Sequence, residues 1–123
     1  MFAYRLAAAV LAFAAFLTLP AQSPVADTQF SVLRGLYTTA FPLAITTATP
    51  GATIRYTIDC SDPRTSAAAV QGPSPLVLTI DPASTNGGLR PLTPAVVVRA
   101  YAFAPGMTPT NVDTATYVFP QRV

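Results

Sequence analysis

Thr49-Pro50-Gly51-Ala52-Thr53-Ile54-Arg55-Tyr56-Thr57-Ile58 is the stretch that decides the fold. Proline holds φ near −65° at the second position of a turn, and glycine accepts the positive φ of the third, so Thr49 to Ala52 reads as a type II turn. It delivers a strand in which Ile54, Tyr56 and Ile58 alternate with Arg55 and Thr57, one face apolar and the other polar. Tyr56 therefore belongs to the core. A turn feeding a half-buried strand is an all-β signature, and the chain repeats it in both directions.

Upstream, Gln29 to Leu33 reads as a strand ended by Gly35, and Phe41 to Thr47 as a second with Pro42 near its start. Downstream, Asp59 to about Pro75 reads as a loop and Leu76 to Ile80 as a strand. Asp81 to Pro94 is loop-like, with Asn86-Gly87-Gly88 in its middle. Ala95 to Phe103 is nearly continuous in apolar residues, which predicts a central strand with Arg99 turned outward. Pro105-Gly106 is a further turn, and Thr114 to Phe119 closes the domain before Pro120. After Ala26 no segment has the 3.6-residue apolar rhythm of a helix. Thirteen prolines suit strand ends and edges. Six or seven short strands at this spacing predict an antiparallel β-sandwich of the immunoglobulin or fibronectin-III kind.

The first segment has a different character. Arg5 is followed by an unbroken apolar run from Leu6 to Leu17 and then by Thr18-Leu19-Pro20-Ala21. About a dozen apolar residues suits the core of a helical signal peptide and falls short of the ~20 of a membrane span. Residues 1–21 are read as that signal, with cleavage after Ala21 or, alternatively, after Ala26. An uncleaved anchor would be the chain's one link to a membrane. No cysteine follows the run, which argues against a lipid anchor. Residues 22–28 are then a linker, 29–120 the sandwich and 121–123 a tail, in a protein expected to be secreted, periplasmic or on the cell surface.

Composition excludes more than it includes. All positive charge is arginine and all negative charge aspartate; lysine, glutamate, histidine and tryptophan are missing. The commonest general bases and zinc ligands are thus absent, and no nucleophile–base pair can be written. An enzyme is not expected, nor a cofactor. The arginines are scattered, without the clustered basic and aromatic pattern of a nucleic-acid binder. Cys60 stands alone, so an intramolecular disulfide is impossible and an intermolecular one is its leading special use. Asp59 and Asp62 are weak metal candidates, because Ca²⁺ needs six to eight oxygens; their ordinary use is bonding loop backbone. Of the aromatic rings, Tyr37 and Tyr101 are the candidates for ligand contact, Tyr101 because it shares a face with Arg99.

Several short motifs resemble one family. They are Phe30-Ser31-Val32 with Gly35-Leu36-Tyr37, then Ala48 to Thr57 with Asp59, then Val98-Arg99-Ala100-Tyr101-Ala102-Phe103 before Pro105-Gly106, and lastly Thr116-Tyr117-Val118-Phe119. In order and spacing they resemble the chitobiase/β-hexosaminidase C-terminal-like domain, also called the fibronectin-type-III-associated domain. The segment Pro109 to Thr114 before Tyr117 resembles the version preceding spore-coat-H-type kinase-like domains in large secreted bacterial proteins. The resemblance implies an immunoglobulin-like accessory module, often beside glycan-active domains. It would serve as a spacer or protein-interaction domain, as the N-terminal part of a larger secreted protein. Its partner would be a neighbouring domain or an extracellular protein, with a polysaccharide as the alternative ligand. Two positions depart from the family pattern. Cys60 stands where the family has glycine, which strains the backbone if φ is positive there, and the loop from Asp81 to Pro94 is longer.

Overall fold

The computed structural model describes residues 22–123, so the expected signal segment lies outside the described residues. These residues form an all-β sandwich of two sheets. In chain order the strands are β1 (Gln29–Phe30), β2 (Gly35–Leu36), β3 (Phe41–Thr46), β4 (Thr53–Thr57), β5 (Val70–Pro73), β6 (Leu76–Ile80), β7 (Ala95–Phe103) and β8 (Asp113–Val118). A 3₁₀ turn, Pro120–Arg122, follows β8. One sheet has the order β1-β3-β6 and the other β2-β8-β7-β4-β5. Every pairing is antiparallel except β2 with β8, which is parallel.

The expected turn and strand are present. Gly51 has φ 76°, and the Ala52 N–H donates to the Thr49 carbonyl at 3.4 Å. β4 then sends Ile54 and Tyr56 inward, and Ile58 follows them into the core. β7 is central, flanked by β4 and β8, and buries Val96, Val98, Ala100 and Ala102. The facing sheet contributes Leu43, Ile45, Leu78 and Ile80. Burying each Val, Leu or Ile side chain is worth about 1.5–3 kcal/mol. This two-sided core holds the fold without a disulfide.

Two strands were not anticipated, β2 and β5. Each is short and carries a glycine, and β5 ends in proline. Both lie at the edges of the five-stranded sheet, where glycine and proline are tolerated because one side of the strand needs no partner. Pro42 obeys the same logic within β3. Ala44 turns its backbone toward the N-terminal strand, accepting from the Ser31 N–H at 3.0 Å. Pro42, two residues earlier, points the same way beyond the end of β1, where no ladder bond is needed.

The segment expected as a linker, 22–28, lies on the sandwich. Val25 is buried in the core, and its N–H donates to the Thr108 carbonyl at 2.9 Å, while the Thr108 N–H donates to Ser23 at 3.0 Å. The described residues thus begin beside the end of β7. It leaves at the opposite end: Val118 pairs with Ala95, the first residue of β7, and the Phe119 N–H donates to the Pro94 carbonyl at 2.9 Å. Nine residues of β7 separate the two poles, a span of about 27 Å at the usual rise per residue.

Candidate functional site

The outer face of the five-stranded sheet carries the candidate Tyr101. Register places Tyr101 opposite Arg55, and Phe103 opposite Thr53, on the outward side of β7. The Tyr101 and Phe103 rings stack with centroids 5.4 Å apart and planes 26° from parallel. Both are half-buried. They stand on the most securely paired strand of the molecule, so their spacing is rigid.

Beside the ring pair, the loop after β4 folds back over the sheet. Arg55 organises it: Nε donates to Pro63 O at 2.7 Å, one terminal nitrogen to Ser66 O at 3.0 Å, and the other to Gln71 Oε1 at 2.8 Å. Pro63 is fully buried as a result. Thr57 Oγ1 donates to Ser61 O at 2.6 Å, and an Arg99 terminal nitrogen donates to Cys60 O at 3.0 Å. The polar side of the decisive strand is therefore the anchorage of the loop, with the ring pair alongside.

The two loop aspartates are each engaged locally. Asp59 accepts from the Ser61 N–H at 3.1 Å and from the Ser61 hydroxyl. The hydroxyl bond is the largest cause of a carboxyl held below its ordinary range. Asp62 accepts from the Arg64 N–H at 2.9 Å and pairs with its guanidinium at 2.8 Å. Those hydrogen bonds bring its carboxyl down to about 2. Both pairs are solvent-accessible and local, the use that aspartate commonly has in turns. Among the described residues, no three His, Cys, Asp or Glu side chains gather as a metal would require. Cys60 is exposed and unpaired, and its φ is 70°. This is the left-handed conformation the family glycine would meet without strain.

Tyr37 has a different setting from Tyr101. Its ring packs 4.8 Å from Phe41 and 5.9 Å from Tyr117, centroid to centroid. Its hydroxyl donates to Leu33 O at 2.5 Å. Phe41 also meets Tyr117 edge-on at 5.4 Å and stacks on Phe119 at 6.4 Å. Tyr117 is fully buried and donates to Val32 O at 2.7 Å across 85 residues of chain. Burial, reinforced by Tyr37, pushes the Tyr117 phenol up to about 12. This cluster ties the passage from β1 to β2 onto β8, and Tyr37 is engaged in that work.

Arg90 is a residue that sequence reading passed over. It is 4% exposed and donates to Asp81 O at 3.3 Å, to Ser84 O, and to Thr93 O and Oγ1 at 2.9 and 3.1 Å. Four acceptors surround one guanidinium, so the long loop from Asp81 to Pro94 is wound around it. Nothing in the local sequence distinguishes Arg90 from the exposed arginines, because its acceptors are mostly backbone carbonyls.

Among the described residues the surface clefts are open, and several of their polar groups are already bonded within the chain. One of about 380 Å³ lies between residues 47–53 and 71–74, where Thr47, Thr49 and Ser74 hydroxyls bond neighbouring backbone. Another of about 400 Å³ lies beside residues 28–34 and 113–115, where Asp113 accepts from Thr28 Oγ1 at 2.7 Å. Neither presents a nucleophile next to a base. Comparison with protein families matches the one described as Fn3 associated over residues 43–117, from within β3 to within β8. Neither a curated protein nor a solved structure matches the chain.

Proposed function

The chain belongs to the Fn3 associated family, accessory domains of larger proteins, and on that premise we propose that it is a non-catalytic extracellular spacer or protein-interaction module that positions a neighbouring domain. The observation that carries this reading is the placement of the two poles. The chain joins the sandwich beside Thr108 and leaves beside Pro94, at opposite ends of its longest strand. Whatever joins the C-terminal pole is held about 27 Å from the N-terminal pole by a rigid body. The C-terminal pole also gathers exposed apolar side chains. Leu36 pairs with Val118 there, Leu92 shares a small cleft with Arg122, and Val123 lies just beyond; they are 71%, 61% and 92% exposed. An apolar end suits contact with a neighbouring domain.

A distance measurement tests the spacer. Fluorophores at cysteines replacing Gln22 and Val123, in a Cys60→Ser background, should report one narrow separation in native buffer and a broad distribution in denaturant. A native distribution as broad as the denatured one would remove the reading, because a spacer must resist bending.

The stacked Tyr101–Phe103 pair favours a second reading, a polysaccharide-binding face. Apolar ring surface covers the C–H faces of sugars, while Gln71, Arg99 and Thr114 lie on the same side of the sheet for hydroxyl contacts. Retardation in gels containing soluble glycans, abolished by Tyr101→Ala with Phe103→Ala, would support it. Unchanged mobility across chitin, xylan and glucan polymers would dismiss it.

A further inference from the structure

We infer that the chain forms a two-fold dimer through the free edge of β6, the strand pairing antiparallel with its own copy about Val77. Such a dimer is independent of the positioning role proposed above. Among the described residues β6 closes the three-stranded sheet, with β3 on one side and no strand on the other. Its sequence, Leu76-Val77-Leu78-Thr79-Ile80, holds neither charge nor proline, and its register with β3 runs without a bulge. Val77 is 59% exposed on the outer face. Folded proteins commonly blunt a sheet edge with charge, proline or a bulge, because unpaired backbone there recruits another strand. The edge strand β5 of the larger sheet contains glycine and ends in proline. β6 carries no such device.

Register decides which backbone groups this edge offers. Ala44 faces β1, since its carbonyl accepts from the Ser31 N–H at 3.0 Å and its N–H donates to Ser31 Oγ at 2.9 Å. Phe41, Leu43 and Ile45 therefore face β6, bonding to Ile80, Leu78 and Leu76 opposite them. Val77 and Thr79 are left pointing away from β3. The Pro75–Leu76 peptide turns its N–H toward Ile45, so the Pro75 carbonyl, on the other side of a planar trans peptide, points away as well. Two groups of this row are out of use. Pro75 has no N–H, and the Thr79 carbonyl already accepts from Asn86 Nδ2 at 3.2 Å. What remains is the Val77 N–H and carbonyl, the Thr79 N–H and the Pro75 carbonyl.

These remaining groups complement a copy of themselves. With the two-fold axis through Val77, each Val77 N–H donates to the Val77 carbonyl of the other copy, and each Thr79 N–H donates to the other copy's Pro75 carbonyl. The two groups out of use then fall opposite each other, the proline nitrogen against the Thr79 carbonyl that Asn86 has filled. No donor or acceptor of the row is left over. An axis through Leu78 would instead aim the Val77 N–H at the occupied Thr79 carbonyl. Charge agrees with self-pairing, because like charges across a strand pair repel and β6 has none. On the outer face the pairing sets exposed Val77 against Val77 of the second copy. On the inner face it sets half-buried Leu76 against Leu78 of the second copy. Apolar surface that one chain leaves open is covered in the dimer, and the smaller sheet runs continuously through both copies.

Cross-linking in the full chain, with Cys60→Ser to remove the native thiol, tests the register. Residues joined by mutual hydrogen bonds in an antiparallel pair have Cα atoms ~5.5 Å apart, within disulfide reach. Thr79 and its copy would lie about 14 Å apart. Val77→Cys should therefore form a disulfide dimer on mild oxidation of the native protein, and Thr79→Cys should not. Thr79→Cys mixed with Pro75→Cys should give the mixed dimer. Equal linking of Val77→Cys and Thr79→Cys would mean chance collision and overturn the proposal. Sedimentation equilibrium in the same background supplies a second test. The parent should follow a monomer–dimer association as concentration rises. Val77→Lys should abolish the dimer and keep the parent's melting temperature, since the side chain is exposed and two like charges would meet at the axis. A parent that stays monomeric at every concentration would overturn the proposal, as would a dimer that Val77→Lys leaves intact.

Discussion

Among the described residues two aromatic clusters stand out, and they differ in how far they are closed over. At the C-terminal pole Tyr37, Phe41, Tyr117 and Phe119 interlock, with both phenol hydroxyls donated to carbonyls of the passage from β1 to β2. On the outer face of the larger sheet, Tyr101 and Phe103 stack on each other and remain half-exposed. The residue types are the same. What differs is the side of the strand on which each ring falls and whether another segment closes over it. Ring content alone therefore says little about ligand contact; the hydroxyl's partner says more.

The contrast is sharpest on truncation. Phe119→Ala should destabilise the protein by about 3–5 kcal/mol in urea unfolding, since Phe119 is fully buried. If Tyr101→Ala cost as much, the two clusters would not be distinct.

Removing one hydroxyl is a finer probe. Tyr117→Phe keeps the ring and leaves Val32 O without its donor, an expected loss of about 1–3 kcal/mol. The same phenol makes stability depend on alkaline pH. Its folded-state value is raised from 10.0 to about 12 by burial, so the neutral form is favoured by folding. The stabilisation is complete below pH 10 and declines as pH rises from about 10 to about 12, because the unfolded chain loses its proton first. Tyr56, also raised by burial, acts in the same direction. Melting curves in that window should show a steeper decline for the parent than for Tyr117→Phe. Parallel declines would mean that Tyr117 does not carry the effect.

On the exposed side the expected effects are small. Cys60→Gly should stabilise by about 0.5–1 kcal/mol, since glycine accepts a φ of 70° more readily than cysteine while losing more freedom on folding. Destabilisation would mean that the thiol makes a contact of its own. Tyr101→Ser should change unfolding by about 1 kcal/mol or less, with any larger consequence confined to glycan retention.

Much of this was legible in the residues. The alternation of Ile54, Tyr56 and Ile58, the Pro50-Gly51 turn and the apolar run of β7 each have a local cause, and each is where pattern reading places it. The positive φ at Cys60 answers a question the sequence only posed, through the family glycine it replaces. The edge strands were not. Val70-Gln71-Gly72-Pro73 lacks any strand propensity of its own and is ordered by its pairing with β4. Residues 22–28 read as a linker because only one of them, Val25, is a large apolar residue. Their order comes from Thr47, Thr49, Thr108 and Asp113, all distant in sequence. For the candidate site, Tyr101 is on an outward face as alternation with Arg99 implied. Tyr37 lies at a strand end, where alternation assigns no face, and its burial depends on Phe41 and Tyr117. Arg90 is invisible for the reason given by its acceptors.

The parallel pairing of β2 with β8 has a mechanical consequence. Both strands run toward the C-terminal pole, one near the start of the domain and the other at its end. A pull on the two ends of the chain draws these strands past each other lengthwise rather than peeling them apart. The Tyr37 N–H to Val118 O bond and the Tyr117 hydroxyl to Val32 O bond are then strained together instead of one after the other. Bonds loaded in parallel yield at a higher force than bonds opened in series. A module loaded along these two strands is built to bear tension.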